Sequence, residues 1–310
     1  MWHVLGILSR WLVFAGLLTA VGSLAFRALV LPQHSLGTRS PDDPDSYNVA
    51  AGAAYFGVFA TCLLLLGSLG RLAAQFAVFR DPYASLTNEF WLLVGDTTWG
   101  QAWAWQAAFG IIALFAFLTA GHRSKSLSAA PWILAGLAVF VLAVTPAFSG
   151  HAYGSDRWTV ALVIGDAVHV VAAGVWLGTL FVMAGTVAVA KRCDDHVPKD
   201  QLIGWIAAFS PLALTSAAAI GITGFLASWV HVDEISSMWT SPYGQRLSLK
   251  LAVLLIVLVC GAFNWKRSRD RVRTSHGAQQ LPFTVVIELA GGMAILLVTA
   301  ILVATPMPGE

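Results

Sequence analysis

Charged side chains are scarce in this 310-residue sequence. Lys, Arg, Asp and Glu together account for only 11% of the residues, whereas a soluble domain carries about 25%. Hydrophobic residues reach 57% and the mean hydropathy is +0.73. A chain with so few charges cannot cover a folded surface for contact with water. We therefore exclude a soluble protein and expect a polytopic membrane protein.

The sequence also lacks the ten-residue alternation of apolar and polar residues that is typical of outer-membrane barrels. Apolar runs of roughly 20 residues recur instead, and each can cross a hydrocarbon core of about 30 Å as a helix. We predict an all-α helix bundle with eight transmembrane helices in a single integral membrane domain over residues 1–310. The predicted spans are 10–31, 49–70, 100–120, 130–149, 160–190, 202–231, 247–265 and 283–305. The first span lacks the flanks of a signal peptide, so we interpret it as retained.

Cysteines and nucleotide-binding motifs are equally sparse. The three cysteines, Cys62, Cys193 and Cys260, show no C-x-x-C spacing, so neither a disulfide framework nor a zinc knuckle is indicated. No glycine-rich nucleotide-binding loop is present, which disfavours an ATP-driven pump. No nucleophile stands at a recognisable distance from a base, and we expect that the protein is not an enzyme.

The basic residues are unevenly distributed although the net charge is only +2. In an eight-span topology the basic loops around 123–125, 191–199 and 266–273 fall on one side. The positive-inside rule places that side in the cytoplasm. We therefore expect a multi-pass protein of the bacterial inner (plasma) membrane with both termini in the periplasm. Topology explains the basic runs more simply than nucleic-acid binding does, so no nucleic-acid partner is expected.

Two pairs of short segments suggest an internal duplication. "TTWGQAWAWQ" (97–106) and "SPYGQRLSLK" (241–250) both place an aromatic-Gly-Gln sequence at the start of a span. "VTPAFSG" (144–150) and "ATPMPGE" (304–310) both lie at the end of a predicted span. Four spans per repeat would preserve orientation, which predicts a 4+4 parallel pseudo-repeat of residues 1–150 and 151–310. Chance similarity within a small apolar alphabet is the alternative.

An ionisable pair interrupts the apolar segment "GDAVHVVAAGVWLG" (165–178). A charge at the bilayer centre costs about 3 kcal/mol on insertion scales and normally faces a bundle interior or a cavity. Asp166 and His169 are one helical turn apart and share a face. A carboxylate beside an imidazole selects its tautomer and raises its basicity. The pair suits a metal ligand or a proton relay, and the alternative is a hydrogen-bonded pair that only holds two helices together.

Other candidate metal ligands lie near the predicted periplasmic ends of spans. His151 follows span four and His231 ends span six, although a solvated loop residue and an interfacial residue are the respective alternatives. The predicted metal site comprises His151, His169, Asp166 and His231, with His3 and Met238 as weaker candidates. Imidazole with oxygen partners favours Cu(II), Zn or Ni, and only five methionines are available for a Cu(I) pathway.

Several segments, most of them between 145 and 305, resemble one known family. They are "TPAFSGHA" (145–152), "DAVHVVAAGVWLGTL" (166–180), "TG" (223–224), "SPYGQRLSLKLAVL" (241–254), "GAFNWKR" (261–267) and "ELAGGMAILLVTAILVATP" (288–306). In this order and spacing they are similar to the bacterial copper resistance protein D (CopD) family. The resemblance implies eight transmembrane helices and copper handling, usually copper uptake across the inner membrane. It also implies a separate periplasmic copper-binding partner of the copper resistance C type.

The expected function is therefore copper transport. The histidines near the periplasmic side would accept the ion, and Asp166 and His169 would pass it inward. One alternative is a haem-binding membrane electron-transfer protein, because buried histidines can serve as axial ligands. Another is a membrane partner of a periplasmic copper protein that does not itself transport the ion.

Overall fold

Eight long apolar helices form the fold, as the sequence predicts. The computed structural model describes residues 1–31, 44–81, 83–122, 129–148, 159–192, 197–231, 236–273 and 283–305, and these contain no strand. The helices are α1 (Trp2–Val30), α2 (Pro44–Phe79), α3 (Thr98–His122), α4 (Ala130–Phe148), α5 (Thr159–Arg192), α6 (Lys199–His231), α7 (Pro242–Arg273) and α8 (Phe283–Leu302). Each contains a segment long and apolar enough to cross a membrane. The all-α polytopic prediction is confirmed.

Three helices extend beyond the predicted spans at the same end of the bundle. α1 begins at Trp2 rather than at residue 10, α2 continues to Phe79, and α7 begins at Pro242 rather than at 247. In α1 the polar residue Ser9 is only 2% exposed. Polar residues lower the average hydropathy, so a span predicted from hydropathy ends where they occur. The helix itself continues because their side chains face other helices.

Consecutive spans alternate in direction. The first turns of α1 and α3 line one cavity together with the last turns of α2 and with Ala304, which follows the end of α8, and we call this end of the bundle the upper face. The end of α1 and the start of α2 share a core cluster with the end of α5 and the start of α6, and this end is the lower face. The upper face corresponds to the predicted periplasmic side.

Helices α1 and α5 cross at their backbones. A Cβ atom built on Gly22 would overlap the backbone of Gly178, and one built on Gly178 would overlap the carbonyl of Leu18. Gly174 lies against the side chain of Val21, so small residues allow the close approach. α5 also contains a π-helical turn at Gly174–Gly178, and such turns often accompany functional sites. This crossing holds α5 in place directly below His169.

Helix α3 begins with a specific hydrogen-bond pattern. Thr97 Oγ1 accepts the backbone N–H of Gly100 at 2.9 Å. The side-chain amide of Gln101 donates back to the carbonyl of Gly95 at 2.9 Å. The first bond satisfies one of the backbone donors that every helix start leaves unpaired.

Helix α7 begins with the same pattern. Ser241 Oγ accepts the backbone N–H of Gly244 at 2.9 Å, and the Gln245 amide donates to the carbonyl of Trp239 at 3.0 Å. Both bonds have the same sequence separation as their counterparts in α3. The two segments that resemble each other in sequence therefore share their local structure, and the full 4+4 repeat stays a prediction.

Candidate functional site

The imidazole of His169 is oriented by a hydroxyl from the neighbouring helix. His169 lies ten residues into α5, or about 15 Å below its start at 1.5 Å per residue. Its Nδ1 atom is 2.9 Å from Thr223 Oγ1 in α6. The Thr223 hydroxyl donates its proton to the carbonyl of Ala219 at 2.7 Å. The Thr223 oxygen is therefore placed to accept a hydrogen bond from Nδ1–H.

This geometry favours the neutral tautomer with the proton on Nδ1 and the lone pair on Nε2. A neutral imidazole carries one N–H, so a donating Nδ1 leaves Nε2 as the acceptor. No hydrogen bond involves Nε2 among the described residues. The ring edge lies beside α6, since a Cβ atom on Gly224 would be in ordinary contact with His169 Cε1 at 3.7 Å. Nε2 is the atom that could bind a metal ion.

Helix α7 contributes two further polar groups within electrostatic range of Asp166 or His169. The ammonium of Lys250 interacts electrostatically with both Asp166 and His169. Tyr243, about two turns above Lys250 on α7, interacts electrostatically with Asp166. We call Asp166, His169, Thr223, Tyr243 and Lys250 the upper polar cluster. Three helices thus contribute to one group of ionisable and hydroxyl side chains in the upper half of the bundle.

The charges within this cluster are complementary. An isolated charge within a membrane is costly, whereas a carboxylate and an ammonium together offset much of each other's cost. Lys250 can therefore compensate Asp166 when no other cation is present. A metal ion on His169 would meet an ammonium that repels it and a carboxylate that attracts it. Lys250 and a metal ion at His169 would therefore be alternative partners of the same carboxylate.

Two of the predicted metal ligands, Asp166 and His169, are brought together with groups of α6 and α7. The described hydrogen bond to the imidazole nevertheless comes from Thr223 and not from Asp166. His151 lies outside the described residues. His231 ends α6, and its side chain lies outside the described part of the chain.

The two weaker candidates occupy other positions. His3 lines the cavity between α1, α2, α3 and α8. Met238 belongs to the short helix Ser237–Thr240 before α7, and its carbonyl accepts a hydrogen bond from Ser248 at 3.3 Å. Within the described ranges, no three His, Cys, Asp or Glu side chains are grouped closely enough to hold a metal ion. A metal at His169 would need the Tyr243 oxygen, water or ligands from the rest of the chain in addition.

Sequence reasoning missed Thr223, Tyr243 and Lys250 as parts of the site. Lys250 could have been noticed because it stands in an apolar run, but the predicted span begins at 247 and places it at the interface. The helix actually begins at Pro242, so Lys250 is about 12 Å below that start at 1.5 Å per residue. Threonine in a membrane helix usually bonds its own backbone, and nothing in the sequence marks Thr223 as a partner of His169.

Comparison with known proteins points to copper. The family model described as "Copper resistance protein D-like, N-terminal domain" matches residues 1–161, and the model described as "Copper resistance protein D" matches residues 203–302. The chain is also similar to the copper transport protein CutJ of Bacillus subtilis (strain 168), with 27% identity over 217 residues. That match covers 69% of this chain but only 38% of the relative. No solved structure matches the chain significantly.

Proposed function

The chain belongs to the copper resistance protein D family, and from this premise we propose that it carries copper across the membrane through the upper polar cluster. Family membership supports a copper-handling membrane protein, and CutJ, to which the chain is similar, is named as a copper transport protein. The observation that carries the proposal is the contact between His169 Nδ1 and Thr223 Oγ1. It leaves Nε2 of a membrane-embedded imidazole available to the ion.

The chemistry of the cluster suits a copper ion as substrate. Metal-binding histidines characteristically donate their second ring N–H to a neighbouring acceptor, which orients the ring and raises its basicity. Thr223 serves as that acceptor here. Asp166 on α5 and Tyr243 on α7 add oxygen atoms, and a nitrogen and oxygen set favours Cu(II) over Cu(I).

We place the capture of copper above this cluster. In the sequence, His151 follows α4 and His231 ends α6, and both helices end at the upper face. These two histidines are the proposed first ligands of the ion. The basic loops predicted for the opposite face support a periplasmic upper face in a bacterial inner membrane. Copper would arrive from a separate periplasmic protein of the copper resistance C type and move inward past His169.

Lys250 supplies a means of release. Without copper its ammonium lies within electrostatic range of Asp166 and offsets part of that negative charge. A copper ion at His169 competes with the ammonium for the same carboxylate, and the return of Lys250 to Asp166 favours departure of the ion. Binding at such a site is reversible, because neither state leaves the half-buried carboxylate without a counter-charge.

The proposal is tested by His169→Ala with His122→Ala as the matched control. His122 is an exposed histidine at the lower end of α3. Cellular copper is measured by mass spectrometry in cells expressing equal amounts of each variant. We expect His169→Ala to abolish the uptake that the wild type adds and His122→Ala to retain it. Uptake by His169→Ala equal to that of the wild type contradicts the proposal.

Purified protein in proteoliposomes separates the alternatives. Copper flux that needs His169 supports transport. Tight copper binding without flux indicates a non-transporting partner of a periplasmic copper protein. A Soret band in the purified protein indicates a haem-binding electron-transfer protein.

A further inference from the structure

A cavity of about 190 Å³ opens at the upper face between α1, α2, α3 and α8. Its polar lining comes from Arg10, Arg71, His3 and Gln75, with Trp99 beside them, and none of the described residues that line it is acidic. We propose that this cavity is a binding site for a phosphate oxyanion, supplied either by a phospholipid headgroup or by free inorganic phosphate. It is distinct from the upper polar cluster, with which it shares no residue.

Two guanidinium groups face this cavity from adjacent helices. Arg10 lies eight residues from the start of α1 and Arg71 eight residues from the end of α2, so each is about 12 Å below the upper face at 1.5 Å per residue. They are close enough to repel each other electrostatically. An oxyanion between them turns that repulsion into two attractions.

Arg71 is held toward the cavity by its neighbours. Its Nη1 atom donates to Gln106 Oε1 at 3.4 Å, and its guanidinium lies 5.8 Å from the ring centroid of Trp99. A guanidinium over an indole ring gains a cation–π interaction. The group is therefore oriented before any ligand binds, which lowers the entropy lost on binding.

Gln106 contacts Arg71 but is not among the residues that line the cavity. Its side chain is only 3% exposed, and its Nε2 amide is buried without a hydrogen-bond partner among the described residues. The contribution of Gln106 to the site is the hydrogen bond that its Oε1 accepts from Arg71, which holds that guanidinium in place.

The position of the cavity repeats that of the upper polar cluster in the other half of the chain. With Gly100 and Gly244 aligned, Trp99 corresponds to Tyr243 and Gln106 to Lys250. In the second half these positions lie within electrostatic range of the carboxylate of Asp166, whereas in the first half they contact the guanidinium of Arg71. The two sites would thus bind ions of opposite sign, and anion binding does not require that the other site transports copper.

A phosphate group suits the cavity better than a monatomic anion does, because it offers several oxygen acceptors. Each guanidinium presents parallel N–H donors that match two oxygens of a phosphate group, and two guanidiniums can share one tetrahedral anion. Phospholipid headgroups and inorganic phosphate offer the same chemistry at the upper face.

The test uses the purified full-length protein in two arms. In the first, inorganic phosphate is titrated into delipidated protein in detergent and the shift in melting temperature is recorded. In the second, the protein is reconstituted in phosphatidylglycerol vesicles and re-extracted, and the retained phospholipids are counted by native mass spectrometry. Each arm compares the wild type with Arg10→Gln, Arg71→Gln, Gln75→Glu and the control Arg80→Gln. Arg80 is an exposed arginine just after α2 that does not line the cavity.

Gln75→Glu retains both arginines and adds a carboxylate to the cavity, so it should fold even if the arginine variants do not. We expect it, and each arginine variant that folds, to weaken phosphate binding about tenfold or more, or to lose one retained phospholipid. Arg80→Gln should match the wild type. An effect in the first arm identifies free phosphate, and one confined to the second arm identifies a lipid headgroup. Equal results for Gln75→Glu and the wild type in both arms overturn the proposal.

Discussion

The Nδ1 atom of His169 lies 2.9 Å from the hydroxyl oxygen of Thr223. This contact joins α5 to α6 and determines which nitrogen of the ring is open to a ligand. The Thr223 hydroxyl donates its own hydrogen bond to the backbone carbonyl of Ala219, so its oxygen is the acceptor for Nδ1–H. Thr223, which need not bind the metal itself, thus orients the imidazole so that Nε2 can bind a metal ion.

Replacing Thr223 by valine should weaken copper binding without removing any ligand. Valine has nearly the same shape but cannot accept the Nδ1–H, so the imidazole loses its preferred tautomer and orientation. Loss of such a partner typically costs 10–100-fold in metal affinity, and we expect a loss of about that size. The measurement is a competition titration of the purified variant against a chromophoric copper chelator.

Thr215→Val is the matched control for this change. Thr215 is exposed on the same helix, and its hydroxyl bonds to the backbone carbonyls of Pro211 and Leu212. Its copper affinity should equal that of the wild type, and Thr223→Ser should retain most of the affinity because the hydroxyl remains. Equal affinities for Thr223→Val and Thr215→Val would show that the contact does not support metal binding.

Lys250→Met should tighten copper binding while it slows transport. Removal of the ammonium takes away both the repulsion at His169 and the competitor for Asp166, so we expect the copper affinity to rise about tenfold or more. Release then becomes slower because no internal cation returns to the carboxylate. Affinity is measured by chelator competition, and flux is measured in proteoliposomes.

Lys191→Met, an exposed lysine at the lower end of α5, controls for the general loss of a positive charge. It should change neither copper affinity nor flux. A parallel fall of affinity and flux in Lys250→Met would mean that Lys250 supports the site instead of competing with the ion, and the release step would be rejected.

The crossing of α1 and α5 should be sensitive to a single methyl group. Gly178→Ala places a Cβ atom into the carbonyl of Leu18, and the two backbones must separate to accept it. Overpacking of this kind costs about 1–3 kcal/mol. The variant should melt at a lower temperature in detergent, and its copper affinity should fall because α5 carries His169.

Gly165→Ala on the same helix is the control for Gly178→Ala. A Cβ atom at Gly165 meets nothing within 4 Å, and alanine is the better helix former by about 1 kcal/mol. Its melting temperature should stay unchanged or rise. A lower melting temperature for both variants would indicate a general intolerance of α5 to substitution and not a specific backbone contact.

The fold was largely predictable from the sequence, and the reason is chemical. Each span must satisfy its backbone hydrogen bonds internally and present apolar side chains to lipid, so an apolar run of sufficient length is itself the signal. The boundaries were less predictable at the upper face. Ser9, Arg10 and Arg71 are polar residues within helices, because they face other helices and a cavity there.

The site was predictable only in part. Asp166 and His169 stood out because ionisable residues are rare in apolar segments. Thr223 could not be predicted as a partner, since the pairing of α5 with α6 depends on how the helices pack and periodicity does not encode it. Lys250 was not recognised because the predicted span begins at residue 247, five residues after the helix begins at Pro242, and so places Lys250 at the membrane surface. The roles of His151 and His231 stay predictions.

A copper-soaked structure with anomalous scattering at the copper edge tests the whole pathway most directly. We expect an anomalous peak on the Nε2 side of His169, because Nδ1 is engaged by Thr223. A second peak nearer the upper face, between His151 and His231, is expected if these residues capture the ion first. In His169→Ala the lower peak should vanish while the upper one persists. A peak on Nδ1, or no copper within bonding distance of His169 at saturating copper, would contradict the tautomer and with it the proposed route of the ion.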